Sequence, residues 1–399
     1  MASMKYFLSV VLQISGSVDL LKTKNNVELH QVVSHSDTFA RQFYSARGAE
    51  VEGNFVSSPI GALIALSMLA YGANKNLPNR LERDLLFCTN KSLQNHGMRA
   101  LVNILHLPER SQMSSIIFAD GGMVINLGFQ LAMVGIFQTE IKTVNYSDPQ
   151  EAINTINTWW HKKAESDAYN IISPDDVSNR TILVLANVIE INSYWATTFN
   201  KTENQLHSVY DDNGRVHHYQ SMHTSQILKY RLFRDVGVVF VEIPYEEADL
   251  SLVLIMSKNA SETTILDHHF NLDVLFNMSR NGSVDFDLPK FRIESTIDLT
   301  NFLRSAGIRG GLDSFTRITS HPLKFSSIKQ KTYIEIDEER TRAMAVTIIT
   351  NDESKSKKPE APEAPVHFKA EVPFYFAIVK HLNSQDYVVL FNGHYKNVN

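Results

Sequence analysis

Three histidines stand close together, His217, His218 and His223, and four acids cluster at Glu335, Asp337, Glu338 and Glu339. Imidazoles bind transition metals, and paired carboxylates can divide acid and base work. Neither set is complete in the sequence. No carboxylate joins the histidines at metal-ligand spacing, so residues 211–223 read as a solvated polar turn, and no metal is expected. The acids alternate along a strand-like run and stop at a polar segment, which reads as a solvated sheet edge. Cys88 is the only cysteine, which excludes an intramolecular disulfide and a cysteine-rich zinc site. Beside Leu85, Leu86 and Phe87 it reads as a small buried hydrophobe. The glycine-rich phosphate loop, the dinucleotide fingerprint, the Gly-x-Ser-x-Gly elbow and the His-Glu-x-x-His helix are all missing. An enzyme is therefore not expected, nor any cofactor.

The remaining chemistry concerns modification and exposure. Seven acceptor triplets for N-linked sugar begin at Asn90, Asn145, Asn179, Asn200, Asn259, Asn277 and Asn281. Lys5 precedes a short apolar run from Tyr6 to Ile14, and Ser15-Gly16-Ser17 supplies small residues at cleavage-site spacing. Residues 1–17 thus have the form of a secretory signal peptide, which predicts an extracellular glycoprotein. Asn351 to Pro365 is polar, charged and proline-rich, and lies between two ordered stretches. It carries Lys355, Lys357 and Lys358. Pro359, Pro362 and Pro365 then recur every third residue, the period of a stiff polyproline II segment.

The elements that must position these groups can be read from period and punctuation. Apolar residues make up 43% of the chain and charged residues 20%, the balance of an ordinary globular protein. The net charge of −5 excludes a strongly basic nucleic-acid binder, and no apolar run of about 20 residues predicts a membrane span. Phe39 and Phe43 share a helical face. Ser58 and Pro59 suit an N-cap and first helical position, and Gly72 suits the stop. Residues 151–172 form a second helical pattern, with Ile153, Ile156, Trp159 and Trp160 inward. The second half is strand-rich: Thr181 to Ile191, Val236 to Ile243, Leu250 to Met256 and Tyr387 to Phe391 are apolar runs. Val284, Phe286 and Leu288 alternate with polar residues as in a half-buried strand.

The order of motifs then resembles the serpin superfamily from about Phe39 to Tyr395. Asn54-Phe55-Val56-Ser57-Ser58-Pro59-Ile60 is similar to the opening of that family's central helix, and Gly72-Ala73 to its end. Thr181 to Asn187, followed by Trp195, resembles the long central strand and its tryptophan. Ile243-Pro244-Tyr245, Pro289-Lys290-Phe291, Pro373-Phe374 and Leu390-Phe391-Asn392-Gly393 match later strands. The resemblance implies an α+β fold, with a helical half packed on a large mixed main β-sheet and two smaller sheets. It implies one serpin domain over 18–399, with hinge and reactive-centre loop over 338–372. It also implies Ser58, Asn187, Trp195 and Gln330 around the opening of the main sheet, where Gly61 and Gln330 replace the family's usual Ser and His. The expected partner is a target protease, met by a monomer; no nucleic-acid or membrane partner is expected.

In that mechanism a protease attacks the exposed loop, and the cut loop enters the main sheet as a new strand. About a dozen added backbone hydrogen bonds at roughly 1 kcal/mol each would rival the stability of a whole domain. The matching hinge is Glu338, Glu339, Arg340, Thr341, Arg342, Ala343, Met344, Ala345, Val346 and Thr347. Strand alternation puts Thr341, Ala343, Ala345 and Thr347 on one face, all small or apolar, and both arginines on the other. Arg340 stands where the family has glycine, which removes conformational freedom and argues for slower insertion. Family spacing places the scissile bond after Ser354, with Lys355, Lys357 and Lys358 as further candidates. The lysines suit a protease with an acidic specificity pocket; they equally keep an exposed loop soluble. Serine proteases are favoured and cysteine proteases remain open. The alternative is a non-inhibitory serpin-fold carrier.

Overall fold

The structure is a computed structural model. It describes residues 27–46, 48, 51–73, 90–106, 110–164, 172–174, 176–179, 181–210, 216–235, 237–257, 271–299, 302–303, 315–320, 329–344, 347–348, 366–370 and 373–396. The signal-like residues 1–17, Cys88, Asn259, Ala345, Val346 and the stretch carrying Ser354, Lys355, Lys357 and Lys358 lie outside the described residues.

Six helices are described: α1 (27–46), α2 (Pro59–Gly72), α3 (Lys91–Leu105), α4 (Leu127–Phe137), α5 (Pro149–Ala164) and α6 (Leu272–Met278). The Ser58 side chain accepts the Gly61 N–H, and Pro59 opens α2, as the sequence predicts. Helix α2 is buried from Pro59 through Leu69, so it is a central helix with no polar face. Gly72 is not its stop. The glycine lies inside the helix, where a Cβ would come within 2.3 Å of Ile318, and Ala73 is the cap. Close packing, not a left-handed turn, requires glycine there. Helix α5 is described to Ala164, and its Ile153, Ile156, Trp159 and Trp160 face inward, against Ile116 and Phe118.

The main sheet is mixed. Its strands are β2 (Arg110–Asp120), β3 (Glu140–Val144), β4 (Leu183–Tyr194), β10 (Phe291–Asp298), β11 (Lys329–Ile336), β12 (Arg340–Met344) and β13 (Thr347–Ile348). The order is β10-β11-β12-β4-β2-β13, with β3 parallel to β2. The second sheet contains β1 (Phe55–Ser57), β5 (Gln205–Tyr210), β6 (Val216–Phe233), β7 (Val238–Pro244), β8 (Leu250–Ser257), β9 (Arg280–Pro289), β14 (Val366–Lys369), β15 (Phe374–His381) and β16 (Tyr387–Tyr395). The two smaller sheets of the expected α+β fold are joined here into one nine-stranded ladder, because the 18-residue β6 pairs with β5 and β9 early and with β7 late. Strand β16 is buried throughout, as its unbroken apolar start predicts.

Two sequence readings change. Glu335 is not on an edge: β11 runs between β10 and β12, inside the main sheet. The histidines do not sit on a turn: all three lie in β6, where His218 is exposed. His223 lies in β6, with ring nitrogens 2.9 Å from Asp285 and 2.8 Å from Asp287 on β9. Burial alone would lower its pKa; the Asp287 hydrogen bond and the nearby carboxylates outweigh that and raise it.

Candidate functional site

The site is the strand β12 and the slot that holds it. Asp337 makes the turn from β11: its carboxylate accepts the backbone N–H groups of Glu339 and Arg340 at 2.8 and 2.9 Å. Such a side-chain cap fixes a reversal in four residues. The chain then runs back as β12, antiparallel to both neighbours. Thr341 lies opposite Ile336 of β11 and Ser193 of β4, and Ala343 opposite Ile334 and Ile191. The hinge therefore forms a middle strand of the main sheet as far as Met344. Thr347 pairs instead with Ser111 on β2.

Alternation decides which side chains enter the core. Thr341 and Ala343 are fully buried, whereas Arg342 is exposed and lies 3.9 Å from Glu335. The Thr341 hydroxyl accepts a 2.7 Å hydrogen bond from the Tyr245 phenol. Tyr245 in turn stacks on Trp195, with centroids 4.6 Å apart and planes at 12°. The Trp195 indole N–H donates to the Asp337 carbonyl at 2.8 Å, and its backbone N–H to Glu339 at 3.0 Å. One aromatic pair thus touches both the turn and the first inward side chain.

Charge holds the same end. The Glu338 carboxylate is buried and meets Lys290 Nζ at 2.5 Å and Asn204 Nδ2 at 2.6 Å. Burial would raise its pKa, but the Lys290 and Asn204 hydrogen bonds prevail and hold it below the usual range. Glu339 pairs with Lys201 at 2.6 Å on the exposed side. Arg340 is not a free arm: Nη1 reaches Asn192 at 3.2 Å and the Tyr194 hydroxyl at 3.4 Å, and its guanidinium lies over the Tyr194 ring. It ties β12 to β4 where glycine would leave the hinge loose.

Further down the sheet the contacts are fewer. Gln330 clasps Ser58 through two bonds, its Nε2 donating to the Ser58 carbonyl at 2.7 Å and its Oε1 accepting the Ser58 N–H at 3.0 Å. The Ser58 hydroxyl donates to Leu390 at 2.8 Å. Asn187 Nδ2 donates to Ser115, but Asn187 Oδ1 is buried without a partner among the described residues. It lies 3.3 Å from where a Cβ on Gly61 would be. Trp195 thus contacts the β12 turn, whereas Ser58, Asn187 and Gln330 lie together at the lower end. Lys290, Asn204 and Tyr245 complete the site. Only the Ile243-Pro244-Tyr245 and Pro289-Lys290-Phe291 motifs flag two of them in sequence, and nothing there pairs them with the hinge. The six sugar-acceptor asparagines among the described residues, Asn90, Asn145, Asn179, Asn200, Asn277 and Asn281, are all exposed.

Comparison with known proteins agrees with this geometry. The sequence model described as Serpin (serine protease inhibitor) matches residues 34–398. Human Serpin B4 is 24% identical over 373 residues, covering 86% of this chain and 93% of its own. Among solved structures, cleaved Serpin 42Da matches with a TM-score of 0.81 at 20% identity, covering 93% of this chain and all of that one. Thyroxine-binding globulin in complex with thyroxine matches with a TM-score of 0.77 at 20% identity, covering 92% and 99%. The chain belongs to the serpin family. Members of this family are generally protease inhibitors and not enzymes, and the family has both extracellular and intracellular members.

Proposed function

We propose that this chain inhibits proteases by offering residues 338–372 as a substrate-like loop, cut near Ser354, Lys355, Lys357 or Lys358. The observation that carries this reading is the seating of Thr341 and Ala343, fully buried between β11 and β4, with Arg342 turned outward. A hinge that already makes strand bonds on both sides is the start of the insertion on which trapping depends. The lysines favour a serine protease with an acidic specificity pocket; a cysteine protease that accepts the same sequence would also be a target. The exposed sequons support a secreted, glycosylated chain with a leader over 1–17 and one domain over 18–399.

Incubation with a panel of serine and cysteine proteases, followed by denaturing gels and intact mass, tests the proposal. A denaturation-resistant complex and a released C-terminal fragment are expected. Cleavage with neither complex nor inhibition contradicts it.

A second reading, a serpin-fold carrier, rests on Arg340. Its contacts to Asn192 and Tyr194 pin the hinge where the family has a flexible glycine. Under that reading Arg340→Gly would leave the outcome of cleavage unchanged. Under the inhibitor reading it would speed insertion.

A further inference from the structure

In helix α4 sequence and exposure disagree. Its sequence, Leu127 to Phe137, contains Gln130 as its one polar side chain, and no charged residue occurs between Asp120 and Glu140. A helix apolar on every side is normally buried on every side. Here Phe129, Met133 and Phe137 fill the core, while the opposite face is open: Leu127 is 68% exposed, Leu131 64% and Val134 59%, with Val124 at 72% just before the helix. Gly128, Gly135 and Gln138 are exposed beside them. At about 100° per residue these positions share one face, with Leu131 at its centre. The result is a contiguous apolar patch on the order of a few hundred Å², the size at which a patch signals an interaction.

The two glycines say what kind of body covers it. Among the described residues a Cβ at Gly128 or Gly135 would meet nothing within 4 Å, and neither residue has a positive φ. Neither the chain's own packing nor its backbone requires glycine, yet each costs about 1 kcal/mol relative to alanine inside a helix. They lie seven residues apart, two turns on one side of the exposed face. Small residues so placed let a second helix backbone approach closely.

We propose that α4 is a self-association face, on which a second copy of this chain docks its own α4 antiparallel across a two-fold axis opposite Leu131. That axis sets Gly128 beside Gly135 of the second copy and Leu127 beside Val134 of the second copy, so backbones close on one side and side chains interlock on the other. A two-fold contact must be self-complementary, and this face is. Charge supports the same occupant. The helix itself is uncharged, as are Asn126, Gln130 and Gln138 at its rim; the exposed Arg317, whose carbonyl accepts from Asn126, stands at the N-terminal end of α4, and an antiparallel pairing holds its two copies at opposite ends of the contact. A membrane-surface helix would carry Lys or Arg along its polar side, which α4 lacks, and the net charge of −5 disfavours an anionic bilayer. The patch falls short of the roughly 800 Å² per partner of a stable interface, so the dimer is weak and concentration-dependent. This departs from the monomer expected from the sequence.

Sedimentation velocity on the full chain over a two-decade concentration series reads the association directly. The wild type is expected to shift toward dimer, and Leu131→Glu to weaken the dissociation constant by roughly tenfold or more, because a carboxylate would be buried at the axis. In a Cys88→Ser background, oxidised Leu131→Cys should form a disulfide-linked dimer, whereas Gln150→Cys, at an exposed position of α5, should not. A wild type that stays monomeric throughout, or Leu131→Cys cross-linking no faster than Gln150→Cys, overturns the proposal. So does Leu131-dependent flotation of the monomer with phosphatidylcholine or phosphatidylserine vesicles, which would assign the face to lipid.

Discussion

The two ends of the slot beside β11 are built differently. At the hinge end, Glu338, Thr341 and the Asp337 turn are held by Lys290, Asn204, Tyr245 and Trp195, through charge, hydroxyl and indole bonds at 2.5–2.8 Å. At the lower end, Ser58 and Gln330 clasp through neutral amide bonds, and Asn187 Oδ1, beside Gly61, has no partner among the described residues. Among the described residues β11 and β4 share no direct ladder; β12 alone joins them, and it reaches only Met344. Under the proposed mechanism, the upper end would fix where the inserting strand starts, and the neutral contacts of the lower end would oppose its further entry.

The strongest way to break this picture is Thr341→Arg. A guanidinium cannot be accommodated at a fully buried position facing Tyr245. The variant should lose β12 seating and be cleaved by a protease without forming a stable complex, on denaturing gels. Arg342→Ala, one residue on and exposed, should change unfolding stability by less than about 0.5 kcal/mol.

Next is Lys290→Ala, which leaves the buried Glu338 carboxylate without its cation. Urea unfolding at pH 7 should show a loss of about 3 kcal/mol. The folded pKa of Glu338 is depressed, so its contribution is present above the unfolded carboxylate value near 4.5 and fades as pH falls through the lower folded value. The Lys290→Ala penalty should therefore shrink in acid.

The lower end responds to acid sooner. His394 is buried beside Tyr44 and Gly53, on the strand whose Asn392 bonds Ser57. Burial, with Lys396 nearby, lowers its pKa from 6.5 to about 4. The unfolded chain thus binds the proton more readily, and stability declines as pH falls below 6.5. The loss should be about 2 kcal/mol by pH 5, a range in which Glu338 remains ionised. His394→Gln should flatten that part of the stability–pH curve.

The smallest expected effect sharpens the contrast from the other side. Gly61→Ser places a hydroxyl near the unpaired Asn187 Oδ1, and should raise stability by about 1 kcal/mol in urea. A loss would mean that the 3.1 Å approach of its Cβ to Ser58 Oγ outweighs the new bond.

Local signals were legible and distant partners were not. Ser58-Pro59 announces α2, and the alternation of Val284, Phe286 and Leu288 announces β9, because capping and period act within a few residues. Thr341 and Ala343 against Arg342 could be sorted by the same period. The acids at 335–339 have the sequence pattern of a solvated edge because Lys290 and Asn204, which pair Glu338, lie 48 and 134 residues away. Nothing near His223 in sequence signals its carboxylates, because they come from β9. Gly72 mimicked a helix stop because the Ile318 contact that demands it is not a sequence signal.

In the proposed mechanism β12 is the first part of a strand that can grow. Thermal unfolding of the loop-cleaved protein, beside the intact protein and cleaved Thr341→Arg, tests it most directly. A large rise in Tm on cleavage of the wild type, absent in Thr341→Arg, is the predicted result. A cleaved wild type that melts no higher than the intact protein would contradict it.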